Sequence, residues 1–243
     1  MKKKFSLFAA GLLLVTATQA QLIKNIENAI TGNSSSSNSG SGLSNSDIVA
    51  GLKEALNTGV NNSTGIASKV DGYLKNPDIF IAFPPEAQKI KAELINLGFK
   101  SKVDQFETSM NRAAEEAAKS AAPVFLSAVK NMTLTDGLSI LQGGDTAATH
   151  YLRKSTTSAL TTQYTPIVKT ALSKVNATKY WTEIVTIYNK IPFVKKENPD
   201  LTSYVTGKAL NGLFKLVGKE ETKIRKNPAA QVTDLLKKVF GKK

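Results

Sequence analysis

Residues 101–119 read SKVDQFETSMNRAAEEAAK, and this stretch indicates most clearly how the chain folds. Its apolar residues recur at helical spacing and form one stripe along a helix: Val103, Phe106, Met110, Ala113, Ala114 and Ala117. Ser101 with Asp104 resembles a capping box at the start. The alanines are small, so a neighbouring helix can approach closely. The stretch therefore predicts an amphipathic helix that packs tightly against others.

Helical periodicity continues over most of the chain, with glycine, proline and capping residues between the periodic segments. Ser44, Pro166 and Asp200 are expected to begin helices, and Gly59 and Gly98 to follow the ends of two others. The predicted helices cover 47–57, 63–74, 85–97, 101–119, 123–131, 135–142, 146–160, 166–175, 178–191, 200–226 and 228–240. The only β-like run is residues 79–83, which is too short for a sheet and predicts an extended arm or a tiny hairpin. No period of 20 to 50 residues recurs, which argues against a solenoid. We expect an all-α domain over 47–241, a single bundle of about ten helices.

The first twenty residues have the order of a secretory signal peptide. Lys2, Lys3 and Lys4 precede the apolar run 5–15, and small residues at Thr18 and Ala20 suit cleavage after Ala20. An apolar run of roughly eleven residues is too short to span a bilayer as a mature helix, although an uncleaved anchor is the alternative. We expect an exported protein of the periplasm or outer envelope. It is not expected to be a lipoprotein, because the chain has no cysteine to carry the lipid.

Residues 21–46 differ in composition from both neighbours. Residues 21–30 carry Leu22, Ile23, Ile26 and Ile30 at helical spacing, whereas residues 31–46 are rich in serine, asparagine and glycine. A tract of that composition cannot bury a core. We therefore expect a short amphipathic segment joined to the helical domain by a flexible linker.

Composition excludes several kinds of chemistry. With no cysteine, there are no disulfides, thiolate nucleophiles or Cys-ligated metals. The net charge is +13, and loss of three signal-peptide lysines leaves +10, of which +7 lies between residues 202 and 243. This charge favours an anionic membrane or an envelope polymer as partner, or it merely keeps the protein soluble. Nucleic acid is not expected, since no DNA- or RNA-binding motif accompanies the lysines.

Six strings in this helical frame, taken in order, resemble one bacterial family. They are DIVAGLKEAL (47–56), MNRAAE (110–115), DTAATHY (145–151), YVTGKALNGLF (204–214), IRKNP (224–228) and TDLLKKVF (233–240). The family is the one called domain of unknown function 4197, and the resemblance extends over about 43–241. It implies an exported, mostly helical protein of Gram-negative bacteria and implies no activity. His150 and Asn211 depart from the Gln and Asp that the resemblance leads one to expect.

No catalytic residue, metal site or cofactor is predicted. His150 is the only histidine, and on a helical wheel it lies with Lys154 and Thr157 on a polar face, as a solvated side chain would. No HExxH motif or calcium-binding loop is present. Asp145 follows two glycines and could be a ligand, but capping of the next helix explains it without a further assumption.

Five charged residues are the candidate binding site: Arg112, Glu115, Arg153, Glu220 and Arg225. Glu220 interrupts the apolar stripe of the 200–226 helix, and Glu221 stands four residues before Arg225. A carboxylate on an apolar face needs a partner, because burial of a lone charge is costly. The five residues form either a structural ion-pair network or a cleft that holds a polar ligand.

Three functions are compatible with this sequence. The first is a non-enzymatic exported protein that binds an envelope component. The second is a carrier of a small apolar or amphipathic ligand between helices. The third is a glycan-active hydrolase that uses carboxylates only, which requires two of them about 5 to 9.5 Å apart across a groove.

Export predicts a specific mature N-terminus. N-terminal sequencing of protein purified from its native envelope should return Gln21 or a residue within a few positions of it. Recovery of Met1 or Lys2 would contradict the predicted localisation.

Overall fold

Helices account for nearly all of the regular structure. A computed structural model describes residues 44–174, 176–189, 200–227, 230–231, 237 and 239. Within these residues the chain forms eight α-helices and no β-strand, which confirms the all-α class with fewer helices than predicted. They are α1 (Asn45–Ser68), α2 (Gln88–Asn96), α3 (Lys100–Ala118), α4 (Ala121–Lys130), α5 (Leu134–Gln142), α6 (Ala147–Lys174), α7 (Ala177–Tyr188) and α8 (Leu201–Lys226). The predicted signal peptide and amphipathic segment, and most of the linker and of the last helix, lie outside the described residues.

Two helices are longer than predicted because two expected breaks do not occur. Gly59 does not end a helix. It lies within α1, where the absence of a side chain leaves room for Glu220 and Ile224 of α8. Pro166 does not begin one, since α6 runs through it. Proline removes one backbone donor, but Pro166 and Thr162 are both exposed, so water can satisfy the carbonyl that loses its partner.

Three helix ends carry the predicted signals. Ser44 begins α1 with a capping box, Asp200 caps α8 through the Ser203 amide, and Gly98 follows α2 with a φ of 84°. The expected capping box of α3 is wrong. Phe99 precedes that helix without a side-chain cap, and Asp104 pairs instead with Lys100 (Oδ2–Nζ 2.5 Å).

The core lies where α3, α6 and α8 pack with α1. The α3 stripe is buried as predicted, with Phe106 only half-buried. Facing it, α6 buries one residue per turn: Ala148, Leu152, Thr156, Leu160, Tyr164, Val168 and Leu172. This spacing of four residues places a continuous ridge of α6 against α3 and α8. Among the described helices, none is long and apolar enough to cross a membrane.

Residues 80–83 form an arm without a hairpin partner, close to the predicted extended arm of 79–83. Ile79 ends the turn before it, where its N–H bonds to the Asn76 carbonyl (3.2 Å). Ile79, Ile81 and Phe83 are buried, whereas Phe80 and Ala82 are exposed. This alternation is that of a strand, because successive side chains of extended backbone point to opposite sides. The arm lies between α1 and α2 in the chain and passes close to α8, where Gly212 faces Ile79.

The close approach at Gly212 predicts a stability difference between two glycines of α8. A Cβ at Gly212 would lie 3.0 Å from the Ile79 Cβ and 3.0 Å from the Tyr73 Cε1, whereas one at Gly207 would meet nothing within 4 Å. We expect Gly212→Val to lower the free energy of unfolding by about 1–3 kcal/mol relative to Gly207→Val. Urea unfolding of both variants measures this, and equal midpoints would contradict the packing described here.

Candidate functional site

One face of α3 holds the backbone of the segment that follows α1. Glu107, Asn111 and Glu115 stand four residues apart and so lie on the same side of the helix. The Asn111 amide binds both backbone groups of Ile81. Its Oδ1 accepts the Ile81 N–H (2.8 Å), and its Nδ2 donates to the Ile81 carbonyl (2.9 Å). Glu107 Oε1 accepts the Phe83 N–H (2.9 Å). Side chains of a helix thus satisfy backbone groups that a neighbouring strand would satisfy in a sheet.

Glu115 continues this row at the other end of the segment. Its Oε1 accepts the amides of Tyr73 and Leu74, both at 3.1 Å, and its Oε2 accepts from Arg112 Nη1 at 2.6 Å. Arg112 also donates from Nη2 to Asp71 Oδ1 (2.7 Å). The Glu115 side chain is 6% exposed and that of Arg112 40%, so the carboxylate is buried and the guanidinium reaches the surface.

Tyr73 fixes the same segment to α8. Its ring is fully buried, and its hydroxyl donates to the Ala209 carbonyl at 2.7 Å. Burial raises the pKa of Tyr73 well above its usual value, so it remains a neutral donor. At the surface end, hydrogen bonds from Lys75 and then Arg112 lower the pKa of Asp71. Asp71 therefore contributes to the free energy of unfolding at pH values above its ordinary pKa of 3.8. This contribution is lost as the pH falls through the lower pKa that Asp71 has in the folded protein.

Glu221 and Arg225 form a second buried pair, which joins the ends of two helices. Glu221 accepts the amides of Ala148 (2.9 Å) and Thr149 (2.8 Å) at the start of α6. Arg225 donates from Nε to Glu221 (3.0 Å) and from Nη2 to the Ile140 carbonyl (2.9 Å) near the end of α5. An anion thus meets a helix N-terminus and a cation a helix C-terminus, as the helix dipoles favour.

The five candidate residues have different partners in the structure. Arg112 and Glu115 contact each other, while Arg225 pairs with Glu221. Arg153 donates to Asn211 (2.9 Å) and stacks over the Phe214 ring (4.4 Å), and Glu220 accepts from Asn62 (2.9 Å) and pairs with Lys223 (3.4 Å). Glu115 and Arg225 bind backbone groups, whereas Arg112 binds the carboxylates of Glu115 and Asp71 and lines the cleft described below. His150 is exposed as predicted, and Asp145 pairs with Lys226.

A large apolar cleft lies beside this framework and was not predicted from the sequence. Its volume is about 1380 Å³, and its walls come from α2, α3, the last third of α6 and the start of α7. Most of the surface that faces the cleft is apolar, and ten of its twenty described lining residues are apolar: Phe83, Leu94, Phe99, Val103, Phe106, Ala113, Pro166, Ile167, Ala171 and Ala177. Of the four walls, the sequence pattern indicated an apolar surface only for α3, where Val103 and Phe106 begin the predicted stripe. The facing wall of α6 is brought there by tertiary packing.

Three aromatic rings meet at the end of the extended arm. Phe83 lies 5.2 Å from Phe106 and 5.8 Å from Trp181, and Phe106 stacks on Trp181 at 5.9 Å between centroids. Phe83 and Phe106 line the cleft, while Trp181 is 2% exposed behind them. Trp181 is the only tryptophan in the chain. The arm therefore supplies one side of the aromatic floor of the cleft.

The polar rim of the cleft is positive. Its two carboxylates are neutralised by neighbours outside the lining, Asp104 by Lys100 and Glu116 by Lys119 (2.6 Å). Lys102 and Lys174 also line the cleft, and neither has an ion-pair partner among the described residues. The described residues contain no group of three histidine, aspartate or glutamate side chains that could hold a metal ion. This arrangement can bind an apolar body and an anion together.

Comparison with known proteins gives a family without an activity. Residues 42–241 match the model of the family described as protein of unknown function (DUF4197). No curated protein and no solved structure matches the chain.

The two buried carboxylates predict unequal effects of arginine removal. Arg225→Ala leaves Glu221 5% exposed beside an unpaired helix end, and we expect a loss of about 3–5 kcal/mol in unfolding free energy. Arg112→Ala should cost less, about 1–2 kcal/mol, because the Arg112 side chain is 40% exposed against 11% for Arg225, so water can replace its hydrogen bonds to Glu115. Thermal and urea unfolding measure both. Lys119→Ala, from an exposed pair, is the control and should change little. If Arg225→Ala unfolds at the same temperature as Lys119→Ala, Arg225 does not have this structural role.

Proposed function

We propose that this chain, which belongs to the family described as protein of unknown function (DUF4197), binds one amphipathic anion in the cleft between α3 and α6. The ligand class is a molecule with a long apolar chain and an acidic head, such as a fatty acid or a lysophospholipid. The observation that carries the proposal is a cleft of about 1380 Å³ with an apolar lining and unpaired lysines at its rim. The protein then acts as a carrier or scavenger and not as a catalyst.

The size of the cleft supports a chain-like ligand. Pockets for small molecules usually measure about 300–1,000 Å³, so this cleft has room for more than a compact metabolite. Each methylene that leaves water contributes about 0.8 kcal/mol, so ten buried methylenes supply about 8 kcal/mol before the costs of binding. The half-buried Phe106 ring, which packs on the buried Phe83, offers apolar contact area without a polar group that an acyl chain would leave unpaired.

The charge at the rim supports an acidic head group. Lys102 and Lys174 lie on opposite walls, in α3 and at the end of α6. Both belong to the lining, and long lysine side chains can cover apolar surface while their ammonium groups remain in water. An acidic group at the mouth could then meet ammonium groups from either wall while its chain lies below. The net positive charge of the whole chain adds long-range attraction for the same ligand.

The carboxylates of the cleft give a glycan hydrolase no support. Asp104 and Glu116 are the two acidic residues of its described lining, and they lie twelve positions apart on α3. At 1.5 Å per residue the separation is ~18 Å along the axis. Glycosidases need their two carboxylates within about 9.5 Å. Binding of an envelope lipid combines the first two functions suggested by the sequence, and the export expected from residues 1–20 would bring the protein to such lipids.

The first test of this proposal uses Trp181 as the reporter. Titration with oleate or lysophosphatidylglycerol should change the fluorescence of this single tryptophan saturably, because its neighbours Phe83 and Phe106 line the cleft. Thr170→Phe places a ring in the cleft and should abolish the change. Thr161→Phe is the matched control, since Thr161 is exposed on the same helix outside the lining and makes the same bond to a carbonyl one turn back.

Reversal of charge at the rim tests the contribution of the acidic head group to binding separately from that of the apolar chain. Lys102→Glu with Lys174→Glu should weaken oleate binding about tenfold or more, which is 1.4 kcal/mol, and leave oleyl alcohol unaffected. Lys154→Glu with Lys169→Glu reverses two lysines of α6 outside the lining and so matches the change in net charge. Failure of the wild-type protein to bind either amphiphile, or equal binding by Thr170→Phe, would contradict the proposal. Mass spectrometry of protein purified from its native envelope would then identify which ligand it carries.

A further inference from the structure

The turn between α2 and α3 exposes apolar side chains beside the mouth of the cleft. Ile95 is 38% exposed, Leu97 69% and Phe99 50%. Helix α2 contributes no fully buried residue to the core, and its main contact is with α3. Leu94 and Phe99 line the cleft, so the apolar surface continues from inside the cleft to the outside of the turn. A soluble protein usually exposes such a continuous patch only where it meets a partner.

The turn presents these side chains in a fixed conformation. Gly98 has a φ of 84°, its N–H bonds to the Ile95 carbonyl (3.0 Å), and the Phe99 N–H bonds to the Leu94 carbonyl (2.8 Å). These two bonds form a Schellman motif, in which residues at the positions of Leu94 and Phe99 commonly touch. The hydrogen bonds of the turn are thus made within it, and Leu97 is held at its tip.

Basic residues flank the apolar tip. Lys89 and Lys102 have no ion-pair partner among the described residues, whereas Lys91 pairs with Glu107 (2.7 Å) and Lys100 with Asp104. Lysines that flank exposed leucine, isoleucine and phenylalanine are typical of protein surfaces that lie on anionic lipid. Stable protein–protein interfaces bury roughly 800 Å² on each partner, far more than three partly exposed side chains supply. The charge and the small apolar area together favour a bilayer over a second protein.

We propose that the α2–α3 turn docks the protein on the surface of an anionic phospholipid bilayer, with Ile95, Leu97 and Phe99 entering the interface. Docking in this way sets the mouth of the cleft against the lipid, so that an amphiphile can pass between bilayer and cleft without crossing water. The purpose of docking rests on the function proposed above. The docking itself depends on residues of the turn, and Ile95 and Leu97 do not line the cleft.

Co-sedimentation with vesicles tests this inference. The purified chain should bind vesicles of phosphatidylcholine with phosphatidylglycerol and bind those of phosphatidylcholine alone far less, because the lysines require anionic lipid. Ile95→Ser with Leu97→Ser should lower partitioning to the anionic vesicles about tenfold. Val70→Ser with Leu134→Ser removes two exposed apolar side chains of other elements, 79% and 41% exposed, and should bind as the wild type does.

Each outcome decides between the alternatives. Unchanged partitioning of the Ile95/Leu97 variant, or an equal loss in the Val70/Leu134 variant, would overturn the inference. A wild-type dimer in lipid-free sedimentation that the Ile95/Leu97 variant dissociates, with vesicle binding unchanged, would assign the turn to a second copy of the chain. Oleate titration through Trp181 should be the same in the Ile95/Leu97 variant as in the wild type. A protein that binds vesicles through the turn but binds no soluble amphiphile would retain this inference and overturn the ligand proposal.

Discussion

The structure depends on one requirement: the extended segment after α1 is buried without a strand beside it, and α3 must supply its hydrogen-bond partners. Buried backbone groups without partners are costly, so a segment of this kind is stable only where side chains replace a sheet. Glu107, Asn111 and Glu115 do this at successive turns. Because these three residues lie beside the apolar stripe of α3 and not within it, one helix both closes the core and holds the arm. Phe83, at the end of the arm, reaches the cleft for this reason.

The buried charges have one contact in common, which is with backbone groups of the scaffold. Glu221 accepts the free amides of one helix and Arg225 donates to a carbonyl of another, while Glu115 accepts amides of the segment held by α3. Each charge compensates backbone dipoles that have no partner within their own element. The ligand, in contrast, is assigned to a cleft whose lining is mostly apolar. Polar chemistry organises the scaffold, and the surface left for binding is mainly hydrophobic.

Short sequence patterns predicted much of the fold. They failed where contacts with distant residues or with solvent determine the local structure. The α3 stripe, the Ser44 cap and the stop at Gly98 are properties of neighbouring residues, so sequence was sufficient. Gly59 and Pro166 were expected to break helices, yet one packs against α8 and the other faces solvent. Glu221 was recognised as a partner of Arg225, but the amides it binds lie more than seventy residues away. The cleft joins walls from distant parts of the chain, which periodicity within one segment cannot reveal.

Pro166, which lacks a backbone N–H, also divides α6 into two parts with different contacts. The helix is ~42 Å long at 1.5 Å per residue, and its start is locked by Glu221. The part of its length that lines the cleft begins at Pro166 and continues to Lys174. Since proline weakens the hydrogen-bond ladder there, the junction is the most compliant point of the helix. Any widening of the cleft at this wall would therefore turn on Pro166, and it would have to draw Val168 and Leu172 out of the core.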